Sequence, residues 1–159
     1  MLTSSASGIY GNFGQSNYGA AKAAMVGFMN VLHHEGAKNN IRVNTLAPTA
    51  ATRMLEGLIP PQVADLMAPE LVTPGVLYLV SEGAPSKTIL GAGAGCFSVV
   101  HIYETPAVFV GGANATVDDV AANWAKISNP ANEQPIDAAF AQTNKFVAAA
   151  AEALGVKLG

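Results

Sequence analysis

The chain has 159 residues, half of them hydrophobic and 12% charged, and its formal net charge is −3. This composition supplies enough apolar material for a folded core and argues against intrinsic disorder. A mildly negative chain without a cluster of lysine and arginine is not expected to bind nucleic acid or an anionic membrane, and no apolar run approaches the roughly 20 residues that span a bilayer.

The first third of the sequence alternates between helix and strand signals. Residues 1–3 have the composition of a strand end, and residues 4–15 are rich in glycine and serine, which predicts a loop. Strong helix formers, with apolar side chains at three- and four-residue spacing, predict a long helix over residues 17–37. Residues 41–46 have strand composition, and Pro48 is expected to end that strand.

Shorter signals follow in the rest of the chain. Two short helices are predicted before residue 82, and the second of them begins with Thr73 and Pro74. Strand composition then recurs three times, and a polar linker separates two final helices. The predicted helices cover residues 62–68, 74–81, 116–127 and 136–154, and the predicted strands cover residues 86–90, 97–103 and 107–110.

The alternation of helix and strand continues as far as Tyr103 and is the pattern of a layered α/β sheet. The segment after Tyr103 is expected to be partly helical. We therefore expect an α/β domain over residues 1–103 and a C-terminal extension with two helices over residues 104–159.

Tyr18 and Lys22 are the most informative pair of residues. Residues four apart on a helix project to the same side, with Cβ atoms roughly 6 Å apart. A phenol with a pKa of about 10 is a poor base at neutral pH, and a neighbouring ammonium group lowers that pKa. A tyrosine adjusted in this way can exchange a proton with an alcohol or a carbonyl oxygen.

The sequence around this pair adds further features. Ser5 stands thirteen residues before Tyr18, in the run TSSASGIYGNFGQSNY over residues 3–18, and the strand sequence IRVNTLAP follows over residues 41–48. Together these features resemble the catalytic segment of the short-chain dehydrogenase/reductase family. Within that family they most resemble the (R)-3-hydroxyacyl-CoA dehydrogenase unit of multifunctional enzyme type 2.

The resemblance implies a role for five residues. Tyr18 is expected to act as the general acid or base, and Lys22 to lower the pKa of the phenol and to hold the nicotinamide ribose. Ser5 is expected to donate a hydrogen bond to the substrate oxygen. Pro48 and Thr52 are expected to contact the cofactor, NAD or NADP, which supplies the hydride chemistry.

The resemblance also implies a Rossmann-like, doubly wound parallel sheet of which the chain forms only the C-terminal portion. In the family's strand order, 3-2-1-4-5-6-7, the chain would supply the end of strand 5 and strands 6 and 7 with flanking helices. The glycine-rich turn that binds the dinucleotide phosphates belongs to the N-terminal half of the family's domain. We expect this chain to lack that half, to be weakly stable or self-associating, and to be inactive alone. Residues 91–95 do not supply the turn, because Cys96 stands in the place of the last glycine of G-x-G-x-x-G.

The resemblance thus predicts an oxidoreductase that interconverts a secondary alcohol and a ketone, with a 3-hydroxyacyl-CoA as the best substrate candidate. It also implies a homo-oligomer formed through the helix that contains Tyr18 and Lys22. The alternatives are a non-catalytic module for dimerisation or complementation, and a truncated remnant of such an enzyme.

The sequence contains no strong candidate for a metal site. His33 and His34 are adjacent on a predicted helix and point about 100° apart, His101 is isolated, and Cys96 is the only cysteine. The single cysteine and the lack of a signal-peptide pattern favour a cytoplasmic protein.

Overall fold

The computed structural model describes residues 1–53 and 57–158. The chain forms two compact units, Met1–Val100 and His101–Gly159. Within the described residues, no helix has both the length and the hydropathy needed to cross a membrane. The elements of the first unit are β1 (Leu2–Thr3), α1 (Ala6–Tyr10), α2 (Ser16–Ala37), β2 (Thr45–Thr49), α3 (Pro61–Leu66), α4 (Thr73–Leu79), β3 (Ile89–Gly93) and β4 (Cys96–Val100).

The four strands found among the described residues of the first unit form one sheet in the order β1-β2-β3-β4. β1, β2 and β3 are parallel, and β4 is antiparallel to β3. Leu2 is in register with Thr45, which is in register with Ile89. Three adjacent parallel strands with flanking helices agree with the predicted α/β fold class, and β4 adds an antiparallel strand at the edge.

Apolar clusters cover both faces of this sheet. Met29 of α2 is 1% exposed and belongs to the same cluster as Ile89. Leu46, Leu79 and Leu90 form a second cluster that includes residues of α4. Because Ile89 and Leu90 are consecutive on β3, their side chains point to opposite faces. The sheet is therefore covered on both sides, as parallel strands normally are.

β2 lies later in the chain than predicted and continues through Pro48. The 2.7 Å hydrogen bond from the Ser4 N–H to the Leu46 carbonyl shows that Leu46 directs its backbone groups toward β1. Pro48 lies two residues further and faces the same side, beyond the end of β1 at Thr3. No β1 residue needs an N–H donor at that point, so proline is tolerated inside the strand.

β3 also lies later than the predicted strand over residues 86–90, and it includes Gly91 and Gly93. A Cβ atom on Gly93 would lie 2.8 Å from the carbonyl oxygen of Thr49, so glycine permits close approach of the two strands there. Ala94 and Gly95, with φ angles of 52° and 72°, make the tight turn into β4.

Two other predictions of local structure were wrong. Residues 107–110 have strand composition but join neither sheet. The segment 4–15, predicted as a loop, contains the helix α1, which begins after Ser5. The hydroxyl of Ser5 accepts a hydrogen bond from the N–H of Ser7 and so caps the helix. Serine is favoured both in turns and at helix starts, so its presence alone does not distinguish a loop from a helix start.

The second unit contains a two-stranded antiparallel sheet and two α-helices among its described residues. Lys145 and Glu104 form an ion pair with an Nζ–Oε2 distance of 2.6 Å, and Lys145 also donates to the carbonyl of Thr105 at 2.8 Å. Thr116 and Asp119 form a capping box at the start of the first of these helices, within one residue of the predicted helix start. The elements are β5 (Tyr103–Glu104), α5 (Val117–Ile127), β6 (Gln134–Pro135) and α6 (Ala139–Leu154).

The ion pair gives the second unit a stability that depends on pH. The hydrogen bonds from Lys145 and then Gln142 hold the pKa of the Glu104 carboxyl below its usual value of 4.5. Because the folded pKa is the lower one, this stabilisation is fully present above pH 4.5 and is lost as the pH falls through the folded value. We expect Glu104→Gln to remove this contribution, so that urea unfolding of the variant depends less on pH in the acid range.

The matched control is Glu133→Gln, an exposed glutamate of the same unit. The control should keep the acid dependence of the wild-type chain. If the free energies of unfolding of the wild-type chain and of Glu104→Gln change in parallel below pH 4.5, the stabilising role of the ion pair is contradicted.

Candidate active site

Tyr18 and Lys22 lie one turn apart on α2. The Nζ atom of Lys22 is 5.7 Å from the centroid of the Tyr18 ring, within the range of a cation–π attraction. Tyr18 is 44% exposed, and Lys22 is half-buried. The structure therefore brings the proposed proton donor and the ammonium group together, with the tyrosine open to a ligand.

The end of β1 holds Lys22 at two points. The Nζ atom of Lys22 donates to the carbonyl of Thr3 at 3.1 Å. The backbone carbonyl of Lys22 accepts the hydroxyl of Ser4 at 2.8 Å, and Ser4 is 2% exposed. An ammonium group has three donors, so two remain beyond the bond to Thr3. Among the described residues, Lys22 forms no ion pair.

Ser5 directly follows Thr3 and Ser4 in the chain and caps α1. Its Oγ atom accepts the N–H of Ser7 at 3.2 Å. Since Ser5 is the acceptor in that bond, its hydroxyl proton stays available for donation to a ligand. The structure thus gives Ser5 a local role as a helix cap that is compatible with its expected role as a donor.

Helix α1 approaches α2 very closely at Gly8. A Cβ atom on Gly8 would lie 2.7 Å from the backbone carbonyl carbon of Lys22, a distance that real Cβ atoms do not show. Position 8 therefore has to lack a side chain for the helix that Ser5 caps to reach the turn of α2 that carries Tyr18 and Lys22. The sequence predicts a loop at Gly8 and indicates no role for Ser4, because neither contact is visible without the fold.

Pro48 and Thr52 lie at and beyond the carboxyl end of β2. Pro48 is in register with Ala92 of β3, and Thr52 follows the last strand residue, Thr49, by three positions. The carboxyl ends of parallel strands meet at one edge of a sheet, which is where α/β folds bind ligands. Contact of these two residues with a cofactor stays a prediction.

The candidate site fits one part of a dinucleotide. Lys22 has unused donors that suit the hydroxyls of a ribose. Among the described residues, no glycine-rich turn links a strand to a helix in the way that phosphate binding requires, because Gly91 and Gly93 lie within β3 and lead into β4. The described residues therefore fit the nicotinamide riboside and offer no site of this kind to the phosphates.

The histidines do not form a metal site with other described residues. The rings of His33 and His34 have centroids 5.1 Å apart, and Nδ1 of His33 lies 2.8 Å from the hydroxyl of Ser86. In residues 1–53 and 57–158, no group of three or more His, Cys, Asp or Glu side chains could hold a metal ion.

Comparison with known families identifies the segment that carries these residues. The sequence model of the family described as short chain dehydrogenase matches residues 1–61. The matched range includes all of the predicted site residues, which are Ser5, Tyr18, Lys22, Pro48 and Thr52. Residues 1–61 thus match the short-chain dehydrogenase family.

Relatives and solved structures agree with this assignment. The chain is 44% identical over 134 residues to a protein named as a short-chain type dehydrogenase/reductase of Mycobacterium tuberculosis, covering 81% of this chain and 45% of the relative. It is 42% identical over 135 residues to the peroxisomal multifunctional enzyme type 2 of Mus musculus, covering 83% of this chain and 18% of that enzyme. The structure of the full-length peroxisomal multifunctional enzyme type 2 from Drosophila melanogaster superposes with a TM-score of 0.81 at 30% identity, covering 96% of this chain and 28% of that one.

The chain thus spans less than half the length of each of these relatives. The resemblance stated from the sequence is confirmed, both to the dehydrogenase family and to multifunctional enzyme type 2. The predicted fold class, a parallel sheet with flanking helices, is confirmed as well.

Proposed function

We propose that the chain carries the catalytic residues of an oxidoreductase that interconverts a secondary alcohol and a ketone with NAD or NADP. The observation that supports this most strongly is the placement of Lys22 beside the exposed Tyr18 ring, held by the end of β1. A 3-hydroxyacyl-CoA is the proposed substrate, because the chain resembles the dehydrogenase unit of multifunctional enzyme type 2.

In the direction of ketone reduction, each residue has a separate task. Ser5 donates a hydrogen bond to the ketone oxygen and orients it. When bound, the reduced nicotinamide supplies the hydride that the carbonyl carbon receives. Tyr18 donates its phenol proton to the oxygen, which completes the alcohol and leaves a phenolate. The ammonium of Lys22 stabilises that phenolate, and solvent returns the proton to the exposed ring.

Lys22, Pro48 and Thr52 are the residues proposed to hold the cofactor. The two remaining donors of Lys22 suit the ribose hydroxyls, which would place the nicotinamide beside Tyr18. Pro48 and Thr52 follow β2 to the carboxyl edge of the sheet, the edge at which Ser5 also lies. A dinucleotide-binding half supplied by the same or another polypeptide would hold the phosphates.

A nicotinamide fluorescence titration tests this function. We expect the chain, joined to or mixed with a dinucleotide-binding half, to bind reduced cofactor and to oxidise it in the presence of a 3-oxoacyl-CoA. The matched control is the dinucleotide-binding half alone, which should bind the cofactor and turn over nothing. The same turnover without this chain would contradict the proposal.

The alternative function is a non-catalytic module for dimerisation or complementation. A truncated remnant of such an enzyme, without activity of its own, is the other alternative. Large apolar side chains on α2 favour the module, because Phe28 and Val31 are 51% and 54% exposed. Co-purification with a dehydrogenase subunit without any turnover would support this alternative over catalysis.

We also propose that α2 packs against the same helix of a second copy. Ala24, Phe28 and Val31 lie on one stripe at helical spacing and are all exposed. Burial of this stripe would remove apolar surface from water in a symmetric contact. We expect Phe28→Glu to shift the chain to a monomer in analytical ultracentrifugation.

The matched control for this interface is Phe13→Glu. Phe13 is fully exposed and lies between α1 and α2, outside the stripe. The control should keep the oligomeric state of the wild-type chain. A dimer that survives Phe28→Glu, or equal loss of the dimer in both variants, would contradict an interface through α2.

The cytoplasm is the proposed compartment, on the grounds of the single cysteine. The multifunctional enzyme relative from Mus musculus is named peroxisomal. Imaging of the tagged chain against a peroxisomal marker would decide between the two compartments.

A further inference from the structure

A groove of about 410 Å³ adjoins the candidate active site. Ala6 and Tyr10 of α1 form one wall, and Cys96 and Ser98 of β4 are on the other side. The floor contains Gly91 and other residues of β2 and β3. This volume lies within the range of roughly 300–1,000 Å³ that is typical of small-molecule pockets.

The floor of the groove is low because glycines occupy it. A Cβ atom on Gly91 would lie 3.0 Å from the hydroxyl of Ser98, and one on Gly93 would lie 2.8 Å from the carbonyl oxygen of Thr49. Side chains at these positions would meet the neighbouring strands on either side of β3. The glycine-rich run that failed as a phosphate-binding turn therefore keeps a space open on the sheet.

The lining of the groove is uncharged. Among the residues that the structure describes, no aspartate, glutamate, lysine, arginine or histidine contributes to it, and its polar side chains carry only hydroxyl or thiol groups. A charged ligand group would lose water there without gaining a partner of opposite charge. The groove therefore suits the uncharged, mainly hydrocarbon part of a ligand.

The groove is continuous with both segments that carry the candidate active site. Ala6 directly follows Ser5, and Thr49 directly follows Pro48. A ligand with its oxygen at Ser5 would thus meet the groove at the adjoining residue. We propose that the groove binds the hydrocarbon chain attached to the reacting carbon of the substrate, an inference that rests on the proposed function. The reacting group then stays at Ser5 and Tyr18, and the length of the bound chain becomes a basis of substrate selection.

Cys96 provides a direct measure of occupancy. It is the only cysteine of the chain, it is exposed, and it lines the groove, so a maleimide reports on access without any substitution. The probes are 2-butanol, 2-hexanol and 2-octanol, which share one secondary alcohol and differ only in chain length. We expect protection of Cys96 to increase with length, with half-protection at concentrations lower by up to about fourfold per added methylene group.

Two phenylalanine substitutions on β4 supply matched variants. Ser98→Phe places a ring over Gly91 and fills the groove, and aromatic side chains are favourable on strands. Val99→Phe changes the next residue, which does not line the groove. We expect the dependence on chain length to disappear in Ser98→Phe and to persist in Val99→Phe.

The outcomes separate this proposal from the proposed function, because the labelling needs neither cofactor nor turnover. Protection of wild-type Cys96 that does not depend on chain length, or that is unchanged in Ser98→Phe, would overturn the groove assignment alone. Length-dependent protection that only Ser98→Phe abolishes would support it. If Tyr18→Phe keeps full turnover while this pattern is seen, the proposed chemistry fails and the groove stands as an apolar binding site.

Discussion

Replacing Tyr18 with phenylalanine is expected to lower kcat by about 10²–10⁴-fold, the usual contribution of a general acid or base. The substitution removes only the phenol hydroxyl and leaves the ring beside Lys22. Tyr18 is 44% exposed, so loss of the hydroxyl should change the free energy of unfolding very little. Turnover of a 3-hydroxyacyl-CoA, measured with the dinucleotide-binding half present, tests this expectation together with a titration of cofactor affinity.

The control for this substitution is Tyr78→Phe. Tyr78 is 55% exposed on α4 and has no place in the proposed site. Its variant should turn over at the wild-type rate, and both variants should bind cofactor as the wild type does. A Tyr18→Phe protein with nearly normal kcat would exclude Tyr18 as the general acid or base.

Gly8→Ala is expected to have the second large effect. The new Cβ atom would meet the Lys22 backbone at 2.7 Å, so α1 must move away from α2. Overpacking of this kind costs about 1–3 kcal/mol of folding free energy. Movement of α1 also displaces Ser5 from Tyr18 and Lys22, and a misplacement of about 1 Å can lower turnover by about 100-fold.

Gly27→Ala is the matched control for the effect on stability. Gly27 lies inside α2, and a Cβ atom there would have no neighbour within 4 Å. The control should therefore gain about 0.5–1 kcal/mol, since alanine is the better helix former. Urea unfolding and kcat measured on the same preparations test both expectations. Equal stability of the two variants would show that α1 does not depend on glycine at position 8.

The helices with strong local signals could be predicted from the sequence. The long run of helix formers places α2 within one residue of its observed bounds, residues 16–37. The placement of Tyr18 and Lys22 on the same side of α2 followed from their four-residue spacing within that helix. The predicted helix over residues 116–127 likewise agrees closely with α5, Val117–Ile127. Each of these signals lies within a few residues of the structure it specifies.

Features that depend on distant segments could not be predicted. A glycine such as Gly93 favours a turn when only the local sequence is considered. The close approach of Thr49 on the neighbouring strand explains why glycine lies within a strand at this position. Pro48 is tolerated in β2 because β1 has already ended beside it. Gly8 and Ser4 matter to the site through contacts with Lys22, fourteen and eighteen residues further along. Local patterns contain no information on such partners.

Transfer of deuterium from substrate to cofactor is the most direct test of the chemistry proposed for Ser5, Tyr18 and Lys22. The substrate would be a 3-hydroxyacyl-CoA deuterated at the carbon that bears the hydroxyl, incubated with oxidised cofactor, this chain and the dinucleotide-binding half. We expect the deuterium to appear in the reduced nicotinamide at a rate that falls by about 10²–10⁴-fold in Tyr18→Phe. Formation of the ketone with the deuterium released to water, or transfer at an unchanged rate in Tyr18→Phe, would contradict hydride chemistry assisted by this tyrosine.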